Sequence, residues 1–566
     1  MRRFFSLLWK AGMPWFWIVG YIAASVLLTN VGISATEYTA KMFAGNVDFF
    51  GVIVPFLAAS IVSMLIASVS GIIGGFCQAR IDRNLRRVVW KKIVHLPFGF
   101  YQSQQPKELI SRMTTDISTI SNLIVNVFVS AIISLYSVIL LFGQIGSYDK
   151  TLMVTTFLLL PLQVAIGAIA GRLKFGLTDE VNQRNAELTE GIAQRTGQAM
   201  LIKSFSAEEK EKQTIGERTK RYYQAYIRNS WVTNLINPVY TIVAALQFIL
   251  IVMIGRRFYA NGAISLVQWV AFFAFANEII TYLSAYTGYW TSLKTAQGAT
   301  HRVSDIVAEK DENLTEGREA GDFSGDIVFD HLDFSFGEKP LFRDLNLTIP
   351  CGQATAVIGR SGSGKTTLLN LLERLYDPES GDIRIGSESL LGLSKKSCRE
   401  KLTYITQESI MLNGTIRENL LFGINRPVDD EELDAVTESV QIKDYIDQLP
   451  EGYETLVGED GSRFSGGQKQ KLAAARGMLK KTDYFLMDEA TAAMDAEAKD
   501  AVWQAVSTLM KGKTTLYVAH DRQTVLKADY VVVMEEGKVV DQGPIETVYE
   551  TNAYLRELIG EGGLDR

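Results

Sequence analysis

The stretch from 51 to 77, GVIVPFLAASIVSMLIASVSGIIGGFC, carries no charged side chain. A helix needs about 20 apolar residues to cross a bilayer, so this run is long enough, and a buried helix of a soluble protein explains it poorly. Five further apolar runs lie at 13–33, 121–146, 151–171, 233–255 and 264–288. The first half of the chain is therefore expected to be a six-helix α transmembrane domain.

Basic residues orient it. Arg80, Arg83, Arg86, Arg87, Lys91 and Lys92 follow the second run, and the long segment after the fourth is equally rich in Lys and Arg. By the positive-inside rule both loops, and both termini, are expected in the cytoplasm. Arg256 and Arg257, after the fifth run, depart from the rule. The opening MRRFFSLLWK is too short to cross and reads as an amphipathic helix lying in the cytoplasmic interface. A cleaved signal peptide is the competing reading; no small-residue cleavage site precedes a soluble domain, and more spans follow. The expected location is the cytoplasmic membrane of the cell, as a multi-pass protein.

Past about residue 305 the sequence changes to charged, short alternating segments. With 566 residues the chain is too long for one core. It divides into a transmembrane domain at 1–305, a charged and aperiodic linker at 306–322, and an α/β P-loop domain at 323–566. Cys77, Cys351 and Cys398 fit neither a disulfide framework nor a metal spacing. Nothing in a chain of net charge −6 suggests a basic groove for nucleic acid.

The chemistry sits in the last part. ATAVIGRSGSGKTTLLNLL reads as a buried strand, a glycine loop and a helix, with Gly359, Gly364, Lys365 and Thr366 at P-loop spacing. Between them stand Arg360, Ser361, Gly362 and Ser363, and Thr367 follows. The glycines let backbone amides close around the phosphates of ATP, Lys365 neutralises charge, and the Thr366 hydroxyl can ligate Mg2+. The apolar strand YFLMDEA ends in Asp488, placed for the Mg2+ shell, and Glu489, placed to polarise water; two acids favouring a helix N-terminus is the plainer reading. TTLYVAH is another buried strand, ending in His520. One motif remains: RFSGGQKQK has paired glycines running into a helix, as an anion site does, but no lysine followed by Ser or Thr.

The ordered set GRSGSGKTT, YITQ, VGEDGSRFSGGQKQK, YFLMDEATAAMD and VAH resembles the nucleotide-binding domain of ATP-binding cassette transporters. Six spans ahead of it in one chain resemble the exporter-type half-transporters, so the likeness covers essentially the whole chain. The resemblance implies that Ser465, Gly466, Gly467 and Gln468 cap the ATP held by a partner's P-loop, which is why no lysine is needed. A second half-transporter is then required, the same chain or a different one. It further implies that Gln407 senses the γ-phosphate and Mg2+, and that Phe336 stacks on adenine; a strand core residue is the alternative for that ring. Asp495 matches the segment that crosses the dimer interface. Phe464 stands where the family usually has leucine, and Asp521 follows His520 where arginine is common; neither removes a catalytic atom.

LPFGFYQSQQPKELISRMTTDIS, broken near Pro97 and Pro106, and EGIAQRTGQAMLIKSFSAEEKE resemble the family's coupling segments. The implied function is an ATPase that moves an amphipathic small molecule, peptide or lipid outward across the bilayer by alternating access. Import of a metal-chelating compound and an ATP-gated channel are the alternatives. In the sixth run Glu278, with Tyr282, Tyr286 and Tyr289 near the same face, marks either a substrate cavity or a carboxylate paired with another helix.

Overall fold

The computed structural model describes residues 2–43, 48–104, 106–321, 323–488, 503–504, 512–560 and 563–564. Its chain divides into two compact units: Met1–Val94 with Pro106–Glu309, and His95–Gln105 with Lys310–Arg566.

The first unit is helical. A helix satisfies its own backbone hydrogen bonds, which hydrocarbon cannot do, and each apolar run falls in one long helix, those at 13–33 and 264–288 beginning two residues ahead of theirs. These are Trp15–Phe43, Phe49–Val94, Pro106–Tyr148, Lys150–Gly197, Glu208–Ala260 and Leu266–Ala308. Among the described residues, the first three and the last are long and apolar enough to cross a membrane. Leu57, Ile61, Leu65, Ile72 and Phe76 point outward from the Phe49–Val94 helix. Such a display is stable only where lipid or another chain covers it. Inside, Phe272, Phe275 and Ile279 pack with Leu141 and Ile145. The Pro106–Tyr148 helix is interrupted by π turns at Arg112–Asp116 and Leu123–Val129. The first of these ends at Asp116, which is buried and takes both Arg302 Nε (2.8 Å) and Nη2 (2.5 Å).

The amphipathic N-terminal segment forms the helix Arg2–Ala11. Protein covers much of its apolar side: Phe4, Leu7 and Leu8 are buried, and the Phe4 ring lies 5.9 Å from that of Phe128. Among its described side chains Trp9 remains strongly exposed. An interfacial helix and a packed one share the same periodicity, so sequence alone does not separate them.

In the second unit β1 (Ile327–Phe336) and β2 (Lys339–Ile349) pair antiparallel, and β1 also pairs with β4 (Ser380–Ile385), which carries the short β5 (Glu388–Ser389). The larger sheet contains β3 (Ala354–Gly359), β6 (Leu402–Ile405), β7 (Tyr484–Met487), β8 (Thr514–Val518), β9 (Tyr530–Glu535) and β10 (Lys538–Pro544), in the order β10-β9-β3-β8-β7-β6. All its pairings are parallel except β10 with β9. Strands β7 and β8 are buried throughout, as expected of parallel strands covered on both faces. Register aligns the carboxyl ends: Val357 faces Val518, Tyr517 faces Met487, and Met487 faces Ile405.

The segment read as a linker is not a loose tether. From residue 310 onward it belongs to the second unit. Arg318 N–H donates to Gly392 O (3.1 Å), Ser394 N–H to Arg318 O (2.8 Å), and Lys396 N–H to Leu314 O (3.0 Å). Backbone pairing needs no side-chain periodicity, so the aperiodic sequence gave no sign of it.

Candidate functional site

Strand β3 delivers the chain to the loop 360–364, and the helix Lys365–Leu372 carries it away. Gly364 has φ +103°, and a Cβ there would come within 2.6 Å of the Phe342 ring. Both the backbone conformation and the space demand glycine. Lys365 is buried, and its ammonium donates to Gly359 O (2.9 Å) and Arg360 O (3.1 Å), folded across its own loop. Arg360, Ser361, Gly362 and Thr366 are exposed, while Ser363 and Thr367 are buried. Ser363 Oγ has no hydrogen-bond partner among the described residues. An orphaned hydroxyl beside a helix N-terminus and a buried ammonium fits a polyphosphate group.

Neighbouring parallel strands bring the remaining residues to the same edge of the sheet. Gln407 lies two residues past β6, Asp488 directly after β7, and His520 two residues past β8. The carboxyl edge of such a sheet is where ligands bind. Asp488 is buried, its N–H donating to Ile405 O at 2.9 Å. Gln407 and His520 are exposed. Glu489 and Asp495 lie outside the described residues. Below this edge burial pushes the Tyr404 hydroxyl well up, helped by the charges of Asp488 and Glu373. It stays protonated and donates to Asn370 Oδ1 at 3.1 Å.

Phe336, at the end of β1, is 43% exposed, so its ring is open to a flat ligand. It meets Phe334 and Tyr376 edge-on, with centroids 4.9 and 5.4 Å away. The sequence did not single out Tyr376. Its ring also meets Phe98 at 5.7 Å, and its hydroxyl donates to Gln102 Oε1 at 2.5 Å. These two belong to the short helix Phe98–Ser103, which starts after Pro97 in the first coupling-like segment. No spacing rule relates residues so far apart in the chain.

The RFSGGQKQK motif, here the signature loop, is built around its own helix, Gly466–Leu479. Ser465 caps it: Gln468 N–H donates to Ser465 Oγ (3.3 Å), and Ser465 N–H donates to Gln468 Oε1 (2.8 Å). Ser465 and Gly466 are exposed, Gly467 is half-buried, and among the described residues a Cβ on Gly466 would meet nothing within 4 Å. Phe464 is buried against Tyr445, so its ring fills core volume.

In the first unit Glu278 and Tyr282 are half-buried, and Tyr282 Oη donates to Glu278 Oε1 at 3.2 Å. Tyr282 also bonds Ser137, which lies 3.3 Å from Thr29 Oγ1. This polar chain crosses three helices. The Tyr286 hydroxyl is committed elsewhere, donating to Ala131 O at 2.9 Å. A cavity of about 800 Å³ opens in the same unit. Its wall includes Gln78, Thr115, Thr119, Asn122 and Arg86, with Leu123 the apolar member.

Comparison with known proteins finds the family described as ABC transporter over residues 342–492 and that described as ABC transporter transmembrane region over 16–283. The chain is 28% identical over 581 residues to a multidrug resistance ABC transporter ATP-binding and permease protein of Lactococcus lactis subsp. lactis, covering 99% of this chain and 96% of the relative. It is 27% identical to an ATP-dependent lipid A-core flippase of Methylobacillus flagellatus, covering 95% of this chain and 91% of that protein. The fold matches a bacterial Atm1-family ABC exporter solved with ATP bound, with a TM-score of 0.81, 21% identity, and 96% and 98% of the two chains covered.

Proposed function

Because the chain belongs to the ABC transporters, with the family's transmembrane region and ATP-binding domain in one polypeptide, we propose that two copies of it form an ATP-driven exporter of an amphipathic compound in the cytoplasmic membrane. The observation that carries the dimer is the open signature loop. Ser465 and Gly466 offer a helix N-terminus to an anion while leaving room above it, and the same chain carries its own P-loop elsewhere. Each chain thus holds half of two sites, and the partner's signature loop closes over the phosphates.

In this reading backbone amides of 360–364 and the Lys365 ammonium bind the β- and γ-phosphates, and Phe336 stacks on the base. The Thr366 hydroxyl, Gln407 and Asp488 would hold Mg2+, which would supply charge neutralisation. Glu489 orients and polarises the attacking water, and His520 donates toward the γ-phosphate. Closure around ATP favours one membrane conformation by its differential affinity for the closed state.

To test this, the chain alone is reconstituted in lipid nanodiscs and its basal ATPase compared with that of Glu489→Gln. Robust hydrolysis abolished by the substitution is expected. A folded, ATP-binding chain without hydrolysis would sink the homodimer and point to a different partner chain.

The relatives are named for multidrug resistance and for lipid A-core flipping, and a lipid is an amphipathic cargo. The polar cavity and the Glu278–Tyr282 pair support a substrate with a hydrogen-bonding head. Glu278→Gln is expected to lower substrate-stimulated ATPase at unchanged basal rate; equal stimulation in both proteins would remove Glu278 from the site.

A further inference from the structure

The helix that starts at the phosphate loop ends at Leu372, and just past that end the carbonyls of Glu373 and Arg374 need partners. Arg399 supplies them. Its Nε donates to Glu373 O (3.1 Å) and its Nη2 to Arg374 O (2.7 Å), placing a cation at the negative end of the helix dipole. An acid is at hand for that cation in Glu373, but Glu373 does not take the role: burial pushes its carboxyl up to about 7, and its Oε2 has no partner among the described residues. The counter-ion is Glu312. Arg399 Nη2 reaches Glu312 Oε1 at 2.5 Å and Nη1 reaches Oε2 at 3.2 Å, a forked pair in which the Glu312 side chain is 11% exposed. Lys395, at 3.8 Å, adds a second cation.

Glu312 lies in the strap that leaves the last span. Its backbone N–H donates to His95 O at 2.6 Å, at the head of the segment carrying the helix Phe98–Ser103. Within the first unit, Lys92 Nζ similarly donates to Glu309 O. The two chain crossings, after residues 94 and 309, are therefore each tied to the other three residues apart.

We propose that Glu312 is a positioning residue for coupling: it locks the strap and the head of the 95–105 segment to the C-terminal end of the phosphate-loop helix, so that nucleotide-driven movement of that helix is passed to the ends of the second and sixth spans. This rests on the ATP-driven reading above. A domain that only bound and cleaved ATP would need Arg399 as a cap but would have no use for a counter-ion from outside its own sheet and helices. The forked geometry gives the link a fixed direction, which a single ammonium contact would not.

Hydrogen exchange on the reconstituted full chain tests it, with ATP and Mg2+ added to Glu489→Gln as the background. In that background, ATP should protect amides of both 365–372 and 95–101. Adding Glu312→Gln, which keeps the shape but not the charge, should leave protection of 365–372 intact and reduce that of 95–101 by about tenfold. Glu312→Asp, which keeps the charge but withdraws the carboxylate from the fork, should do the same. A merely structural role would lower protection of both segments together, and that outcome, or full ATP protection of 95–101 in Glu312→Gln, overturns the proposal. If ATP protects neither segment in the background protein, the ATP-driven reading fails and this inference with it.

Discussion

Glu373 is 8% exposed, near Lys480 and Arg399, and still holds its proton to about pH 7. Desolvation outweighs the attraction of both cations there. The native state consequently binds more protons than the unfolded chain between pH 4.5 and about 7. Stability contributed by the protonated group is full below pH 4.5 and is lost as pH rises through about 7, a change on the order of 3 kcal/mol. Glu373→Gln should therefore flatten the fall in melting temperature of the detergent-solubilised protein across that window; an unchanged slope would remove Glu373 as its source. Lys365 belongs to the same scale. Replaced by methionine, it leaves the loop without its buried ammonium, and hydrolysis should drop by about a hundredfold or more while the fold persists. Retention of the wild-type rate would contradict its assigned role. Gly364→Ala tests geometry alone: a methyl 2.6 Å from Phe342 at φ +103° should cost on the order of 1–3 kcal/mol in unfolding free energy.

Among elements, the helix Gly466–Leu479 joins its cap to the proposed contact with ATP, and substitution can separate the two. Ser465 caps Gly466–Leu479, so Ser465→Ala should lower stability by about 1 kcal/mol and also abolish ATPase. Ser465→Asn retains a capping side chain, and it should recover the stability measured by denaturant unfolding without recovering hydrolysis. Recovery of both would leave Ser465 with a capping role only. The helix Arg2–Ala11 makes a similar point about context. Leu7 is 2% exposed, and Leu7→Asp places a charge against packed spans, where it costs several kcal/mol. A helix merely resting on lipid would shift its membrane depth with little loss of unfolding stability.

At the scale of the whole molecule, the proposed sharing of sites predicts that this chain of 62.9 kDa assembles as a pair. Native mass measured in nanodiscs with ATP and the Glu489→Gln variant is expected to be that of two chains. An active enzyme with the mass of one chain would refute shared sites. The outward-facing apolar rows of the Phe49–Val94 helix agree with a unit that needs lipid or a partner around it.

The sequence by itself determined the spans and the glycine loops, for a local reason. A bilayer demands about 20 apolar residues in a row, and a phosphate cradle needs its glycines, lysine and threonine adjacent in the chain. Each leaves a contiguous mark, as GVIVPFLAASIVSMLIASVSGIIGGFC and GRSGSGKTT do. What only the tertiary structure decided is how distant segments meet. Glu312 and Arg399 stand 87 positions apart, Tyr376 and Gln102 stand 274 apart, and no periodicity connects either pair. The linker's attachment and the covering of the N-terminal helix were hidden for the same reason. Hydrogen bonds and ring contacts across such separations depend on where β-sheet and helices carry each residue, and a linear pattern holds no record of that.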